Sequence, residues 1–277
     1  VTFLERMAES SRERVRAARA KESEAALERR ALAQPPAPEL LLDTFDVIAE
    51  LKLRSPAAGT LARGGFDTRT QLASYARGGA AAVSVLTEPT EFRGELEHLA
   101  HAAEVLKPGR PAMRKDFLVD PYQVLEARAA GAGGVLVILA MLDDATVRAL
   151  VDCARRCGMF VLLEAFDRAD LARLAAYDAP AAGGPPLLAG VNCRDLRDLQ
   201  VRFERFLELG PHLPRHLKTV AESGIGTASD VEDVVEAGYR LALVGSSLMF
   251  AADPAAALAG LIAAGRKAVA GRQSVCS

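Results

Sequence analysis

The stretch Pro111-Ala112-Met113-Arg114-Lys115-Asp116-Phe117-Leu118-Val119-Asp120-Pro121 carries one complete strand-to-helix transition. A short apolar approach runs into the polar tetrad Arg114 to Phe117, and Leu118-Val119-Asp120-Pro121 then opens a helix. A lysine placed where a buried strand enters a loop has its ammonium partly desolvated, which makes it a usable proton donor near neutral pH. Lys115 is therefore the first candidate for a catalytic acid.

The same unit recurs on both sides of this stretch. Short apolar runs occur at Val47-Ile48-Ala49-Glu50-Leu51, Ala81 to Leu86, Arg110 to Arg114 and Val135 to Leu139, then at Phe160 to Glu164, Leu187 to Asn192, Thr219 to Glu222 and Leu241 to Gly245. They lie roughly 25 to 35 residues apart with Ala/Leu/Glu/Arg helix patterns between them, as the βα units of a parallel barrel require. Small-residue exits such as Arg77-Gly78-Gly79, Cys157-Gly158 and Ala237-Gly238 supply left-handed helix stops and tight turns into the next run. An open doubly wound sheet uses similar units, but eight of them without a break in composition favour closure. The fold expected is α/β, a (β/α)8 TIM barrel with an N-terminal helical extension. The extension and its connector span residues 1–38, and the barrel spans residues 39–277.

Residues 2–33 read as one helix, since Ala, Glu, Arg and Leu dominate and no Gly or Pro interrupts them. Its apolar face is thin: Phe3, Leu4, Met7, Val15 and Leu27. The arginines at 12, 14, 16 and 19 alternate with acids, which favours a solvated face over a phosphate-attracting patch. Gln34-Pro35-Pro36-Ala37-Pro38 then forms a stiff connector.

A net charge of -2 in a chain that is one quarter charged provides no global field to draw in nucleic acid or an acidic membrane surface. A small-molecule partner is the default. The longest apolar stretch, Gly133 to Leu142, is far short of the roughly 20 residues a membrane span needs, and the first twenty residues have no apolar core for a secretory signal. A cytoplasmic protein is expected, and its polar helices suggest a monomer. Of the four cysteines, Cys153 and Cys157 lie one helical turn apart while Cys193 and Cys276 stand alone, so the expectation is reduced thiols rather than disulfides or a zinc site. His98, His101, His212 and His216 fall on helices or in a Pro-bounded loop, away from strand ends, and no metal is expected. Neither a Walker loop nor a Gly-x-Gly-x-x-Gly follows any strand, which disfavours nucleotides.

In such barrels the chemistry sits at the C-terminal strand ends. The first run ends in Glu50-Leu51-Lys52-Leu53-Arg54-Ser55-Pro56, where alternation puts Glu50 and Lys52 on one face. Later runs end in Lys115, Glu164, Asn192 with Arg194, Glu222 with Ser223, and Gly245-Ser246-Ser247. A single charge at a strand end is more often a structural ion pair, but six units converging on one mouth point to catalysis. Ser223-Gly224-Ile225-Gly226 and Gly245-Ser246-Ser247-Leu248 leave backbone N–H groups open to an anion at the two units where barrels recurrently bind phosphate. Lys115 would then protonate a carbonyl or departing oxygen, Glu164 would take a proton from carbon, Lys52 would counter substrate anions or act as a second acid, and Asn192 would orient a hydroxyl.

These motifs resemble the indole-3-glycerol phosphate synthase family over nearly the whole chain. The resemblance rests on Ile-Ala-Glu-Leu-Lys-Leu-Arg-Ser-Pro, Leu-Thr-Glu with Phe92 and Gly94, Arg-Lys-Asp-Phe, Leu-Leu-Glu, Gly-Val-Asn-Cys-Arg-Asp-Leu, Ala-Glu-Ser-Gly-Ile and Val-Gly-Ser-Ser-Leu-Met, in order. It implies a cofactor-free, decarboxylating and dehydrating ring closure of 1-(2-carboxyphenylamino)-1-deoxyribulose 5-phosphate, a phosphorylated aromatic amine. By position in those motifs Lys115 resembles the acid for condensation, Glu164 the general base, and Lys52 the lysine that meets the anthranilate carboxylate. Glu50, Asn192 and Glu222 match further catalytic-site residues. Ser55, Ser223, Gly224, Gly245 and Ser246 are the implied phosphate side, Phe92 and Phe117 the aromatic pocket, and Arg194 a substrate-side arginine.

The chain departs from the family pattern at Ala57-Ala58-Gly59, where Ser usually comes first, and at Gly131-Ala132-Gly133-Gly134. It departs again at Phe166 and Cys193, where His and Asn are common. None of these removes a proposed catalytic group. Two other readings keep the fold: a paralogue acting on a related N-aryl ketose phosphate, and a non-catalytic subunit that kept the phosphate cup. Retention of an acid and a base together argues against the second.

Overall fold

The apolar runs form eight strands: β1 Asp46–Leu51, β2 Ala82–Leu86, β3 Ala112–Lys115, β4 Gly134–Ile138, β5 Phe160–Ala165, β6 Leu187–Asn192, β7 Lys218–Glu222 and β8 Leu241–Val244. In this computed structural model they pair in parallel around a closed barrel. Pairing of β8 with β1, from Asp46 with Leu241 to Ala49 with Val244, leaves no open edge and excludes the doubly wound alternative. Residues 2–55, 59–61, 66–178, 183–195 and 200–275 are described, Ser55 and residues 273–275 in backbone only. Pro56, Ala57, Ala58, Leu196 and Cys276, all named above, lie outside the described residues.

Helices cover the barrel for local reasons that the sequence states. In α6, Asp144–Arg156, Val147, Leu150, Val151 and Ala154 recur at helical spacing and are buried, while the N-cap Asp143 accepts the Thr146 N–H. In α5, Pro121–Ala129, Asp120 caps and Pro121 takes the first position, as the opening stretch predicts. The exits Gly79, Gly131, Gly158 and Gly238 all have positive φ, between 68° and 111°. One departure from the family pattern has a packing reason: a Cβ on Gly134 would lie 2.3 Å from the Phe160 ring, so that ring fills the barrel where a side chain on β4 would stand.

The single helix expected over 2–33 is two. The first, α1 Phe3–Arg19, ends at Ala20, and the second, α2 Glu24–Leu32, begins where the Ser23 side chain accepts the Ala26 N–H. A serine cap and the Tyr122 hydroxyl, which donates to the Glu22 carbonyl at 2.9 Å, turn the chain without Gly or Pro. Thereby α2 packs on α5 while α1 reaches β3. Nor is the arginine row uniformly solvated. The Arg14 guanidinium makes two 2.8 Å bonds to Asp116, which is fully buried, while Arg12 and Arg16 remain exposed and pair with Glu9.

Side chains inside the barrel stack in layers drawn from alternate strands. Stepping around the barrel raises the level by about one residue per strand, so residues one above the paired position face one another across the axis. The registers Glu50 with Ser84, Leu86 with Lys115, Ile138 with Glu164 and Asn192 with Glu222 sort the interior accordingly. Ile48, Met113, Leu162 and Val220 form an apolar layer. Above it come Ser84, Leu136, Gly190 and Leu243 from the even strands. The next odd layer is Glu50, Lys115, Glu164 and Glu222: three carboxyls and one ammonium, where an ordinary barrel would carry aliphatic side chains.

Candidate active site

This charged layer floors a cavity of about 390 Å³ at the C-terminal ends of the strands. The Lys115 Nζ lies 3.3 Å from Glu164 Oε2 and 3.2 Å from Glu222 Oε2. Lys52, just past the end of β1, places its Nζ 2.5 Å from Glu50 Oε1, so the alternation read from Glu50-Leu51-Lys52 holds in space. The Asn192 amide donates to Glu164 Oε2 at 3.2 Å and its oxygen accepts the Arg194 N–H at 2.9 Å. Asn192 is thus aimed by the chain that carries Arg194 and in turn aims the carboxyl of Glu164.

The electrostatics correct one expectation. Burial alone pulls a lysine down, and Lys115 was expected to be softened in that way. Glu164, Glu222 and Glu50 more than offset burial, and Lys115 is held above the ordinary lysine value. Lys115 is thus held as an ammonium at neutral pH. Glu50 is also buried, yet Lys52 and Lys115 hold its carboxyl below the usual range. Glu222 goes the other way: burial, then the like charge of Glu164, push it well above the usual range despite Lys115. Its Oε1 is buried and has no hydrogen-bond partner among the described residues.

One wall of the cavity is aromatic. The Phe92 and Phe117 rings are 6.2 Å apart, and Phe3 from α1 adds an edge-to-face contact on Phe117 at 5.8 Å. The Ser11 hydroxyl donates to the Phe117 carbonyl, so α1 is tied to the backbone of this wall. Phe92 is held from below by Glu88, buried at the end of the loop's approach, whose carboxylate accepts the N–H groups of Thr90, Glu91 and Phe92 at 2.6 to 3.1 Å. Arg114, the neighbour of Lys115, points outward between β3 and α5. It pairs with Asp116 and Glu126, each at 3.0 Å, as a structural arginine.

The opposite side is built from the two Gly/Ser turns. Ser223 and Gly224 both have positive φ, 71° and 73°, and both line the cavity. Gly245 precedes α10, Ser246–Phe250, and the Ser247 hydroxyl donates to the Ile225 carbonyl at 3.2 Å, joining the turns. The first turn is bounded by α9, Ala228–Ala237. Of the residues singled out from sequence, all line this cavity except Ser55, whose side chain lies outside the description. Phe3, Leu136, Leu243 and Asp230 also line it and were not anticipated. Asp230 had a legible signal: Thr227-x-x-Asp230 is a capping box, and its carboxylate accepts the Gly226 and Thr227 N–H groups at 2.9 and 2.8 Å. Phe3 had none, since only the packing of α1 brings it to the mouth.

No group of three His, Cys, Asp or Glu among the described residues is placed to hold a metal ion. No helix among them is long and apolar enough to cross a membrane.

Residues 4–261 match the sequence profile of the family described as indole-3-glycerol phosphate synthase. The indole-3-glycerol phosphate synthase of Koribacter versatilis (strain Ellin345) is 42% identical over 218 residues, 78% of this chain and 79% of that protein. That of Nocardioides sp. (strain ATCC BAA-499 / JS614) is 43% identical over 224 residues, 80% and 82% of the two chains. Among solved structures, 3-hexulose-6-phosphate synthase from Salmonella typhimurium superposes with a TM-score of 0.60 at 16% identity, over 81% of this chain and all of its own. Thiamine phosphate pyrophosphorylase from Pyrococcus furiosus gives 0.54 at 16% identity, over 82% and 96%. At that identity the structural likeness speaks for the barrel alone.

Proposed function

The chain belongs to the indole-3-glycerol phosphate synthase family, and from that premise we propose how its charged layer closes the indole ring. The enzyme is a carboxy-lyase of tryptophan biosynthesis. It converts 1-(2-carboxyphenylamino)-1-deoxyribulose 5-phosphate to indole-3-glycerol phosphate, carbon dioxide and water. The atoms balance without an external oxidant or reductant, so the protein has to supply placed charges and proton transfers.

In this reading the phosphate sits in the turns of Ser223-Gly224 and Gly245-Ser246, with Ser55 as a further partner. The aryl ring lies against Phe92 and Phe117 with Phe3 behind them. Lys52 meets the aryl carboxylate, which brings the ring carbon bearing it to the ketose carbonyl. That carbon attacks, and Lys115 gives its proton to the carbonyl oxygen as the new bond forms. The carbon-carboxylate bond then breaks and its electron pair restores the aromatic ring. In the last step the new hydroxyl leaves as water with a proton from Lys52, while Glu164 takes a proton from the adjacent methylene to form the double bond. Asn192 and Arg194 orient the sugar hydroxyls. Glu50 holds Lys52 in place, and Glu222, whose carboxyl burial and Glu164 push toward the neutral form, lies beside Lys115 as it discharges.

The observation that carries this reading is Lys115 bridging Glu164 and Glu222 in the same layer as the Glu50–Lys52 pair. The division of the chain into an extension, residues 1–38, and a catalytic barrel, residues 39–277, belongs to the same proposal, as does a cytoplasmic monomer, checked by sedimentation. The purified protein, given the carboxyphenylamino-deoxyribulose phosphate, should release a product with indole fluorescence. No product at high enzyme concentration would sink the proposal. Turnover of another N-aryl ketose phosphate in its place would move it to a related substrate.

A further inference from the structure

Two glycines, one on an even strand and one just past another, stand against the carboxyls of the charged layer. A Cβ built on Gly190 of β6 would lie 2.1 Å from Glu222 Oε1 and 3.2 Å from its Cδ. One built on Gly245, after β8, would lie 2.5 Å from Glu50 Oε1. Glycine inside a buried strand packs nothing and loosens the chain, so its presence marks a place where another group must come close. At Gly190 that group is the far oxygen of Glu222, and the near oxygen is the one 3.2 Å from Lys115.

We propose that Gly190 is the positioning residue for Glu222: the missing side chain on β6 is a socket that takes one carboxyl oxygen and thereby aims the other at Lys115. Gly245 does the same for Glu50. A five-atom carboxyl side chain on β7 would otherwise have to swing up into the cavity, where the substrate's reacting carbons belong. The socket also keeps Glu222 in its dry niche, the burial that pushes its carboxyl up. The inference rests on the ring-closing role proposed above.

The test is Gly190→Ala in the full chain, alone and with Glu222→Asp. The added methyl should drive the Glu222 carboxyl out of its niche, lowering kcat by about 10- to 100-fold, the scale of a misplaced catalytic group, with KM little changed. Out of the niche Glu222 loses its proton more readily, so the alkaline limb of the kcat profile should move to lower pH. A merely structural lesion would lower kcat without moving that limb. In the Gly190→Ala background, Glu222→Asp shortens the side chain past the new methyl and should recover activity, although Glu222→Asp alone lowers it.

Wild-type kcat and pH profile in Gly190→Ala would overturn the proposal, as would a double variant no better than Gly190→Ala. Should Gly190→Ala fold too poorly to assay, the same socket is read from Tm, which the double variant must recover. A wild-type protein without turnover would instead defeat the function proposed. The socket would then be read by crystallography: the Glu222 carboxyl must lie against the Gly190 backbone in the wild type and be displaced in Gly190→Ala, and an unmoved carboxyl there overturns the inference.

Discussion

Replacing Lys115 with methionine removes the ammonium and keeps most of the bulk, so the loss is electrostatic rather than a cavity. Its Nζ is 3.3 and 3.2 Å from two carboxyls and its side chain is only 15% exposed. At an effective dielectric of about 20, a unit pair at that distance attracts by roughly 5 kcal/mol before desolvation, and removing one partner of a buried pair costs about 3 to 5 kcal/mol. Methionine leaves the neighbouring carboxyls free to take up protons, which limits the stranded charge, so the lower end of about 3 kcal/mol applies. In a chain of this size that lowers Tm by about 5 °C.

The sign with pH follows from linkage. Lys115 offsets part of the burial that raises the Glu222 carboxyl, so without it that carboxyl holds its proton more tightly still, and stability falls more steeply as pH rises above about 4.5. Lys115→Met should therefore be nearest to wild type at about pH 5 and furthest from it at about pH 8 in thermal scans. Its kcat, followed by indole fluorescence, should fall by at least about 100-fold, the scale of a lost general acid. Turnover within a few-fold of wild type would remove Lys115 from its role. A Tm deficit of equal size at both pH values would refute the charge argument.

Other perturbations separate the remaining parts of the site. Asp116 is buried, yet Arg14 and Arg114 hold its carboxyl below the usual range, so the stability it contributes is complete above about pH 4 and is lost as pH falls from there. Asp116→Asn should flatten that acid slope in urea titrations, and Arg14→Met should make α1 more susceptible to limited proteolysis without unfolding the barrel. Glu88→Ala removes the acceptor of three N–H groups and frees Phe92, which should raise KM several-fold with kcat within about two-fold, a loss of binding shared by ground and transition states. Burial pushes the Cys193 thiol up to about 12, so iodoacetamide at neutral pH should label it only after the protein unfolds. Labelling of the folded enzyme at that position, found by mass spectrometry, would contradict the burial argument.

The local rules of the chain were enough for the barrel and for which side chains gather at its mouth. Period-2 alternation in Glu50-Leu51-Lys52 and in Met113-Arg114-Lys115 sends every second side chain inward, which is why Lys115 faces the cavity and Arg114 the helix layer. Once eight such runs close, their C-terminal ends must meet at one mouth. What alternation cannot state is which strand's residue stands opposite which, because register around the barrel links segments a hundred residues apart. That is why Lys115, read from its own strand as a softened lysine, turns out to be strengthened by carboxyls from β1, β5 and β7. The break at Ser23, the arrival of Phe3 at the aromatic wall and the fit of Gly190 against Glu222 have the same origin. Each depends on the distance between groups far apart in the chain, and only the packed tertiary structure sets that distance.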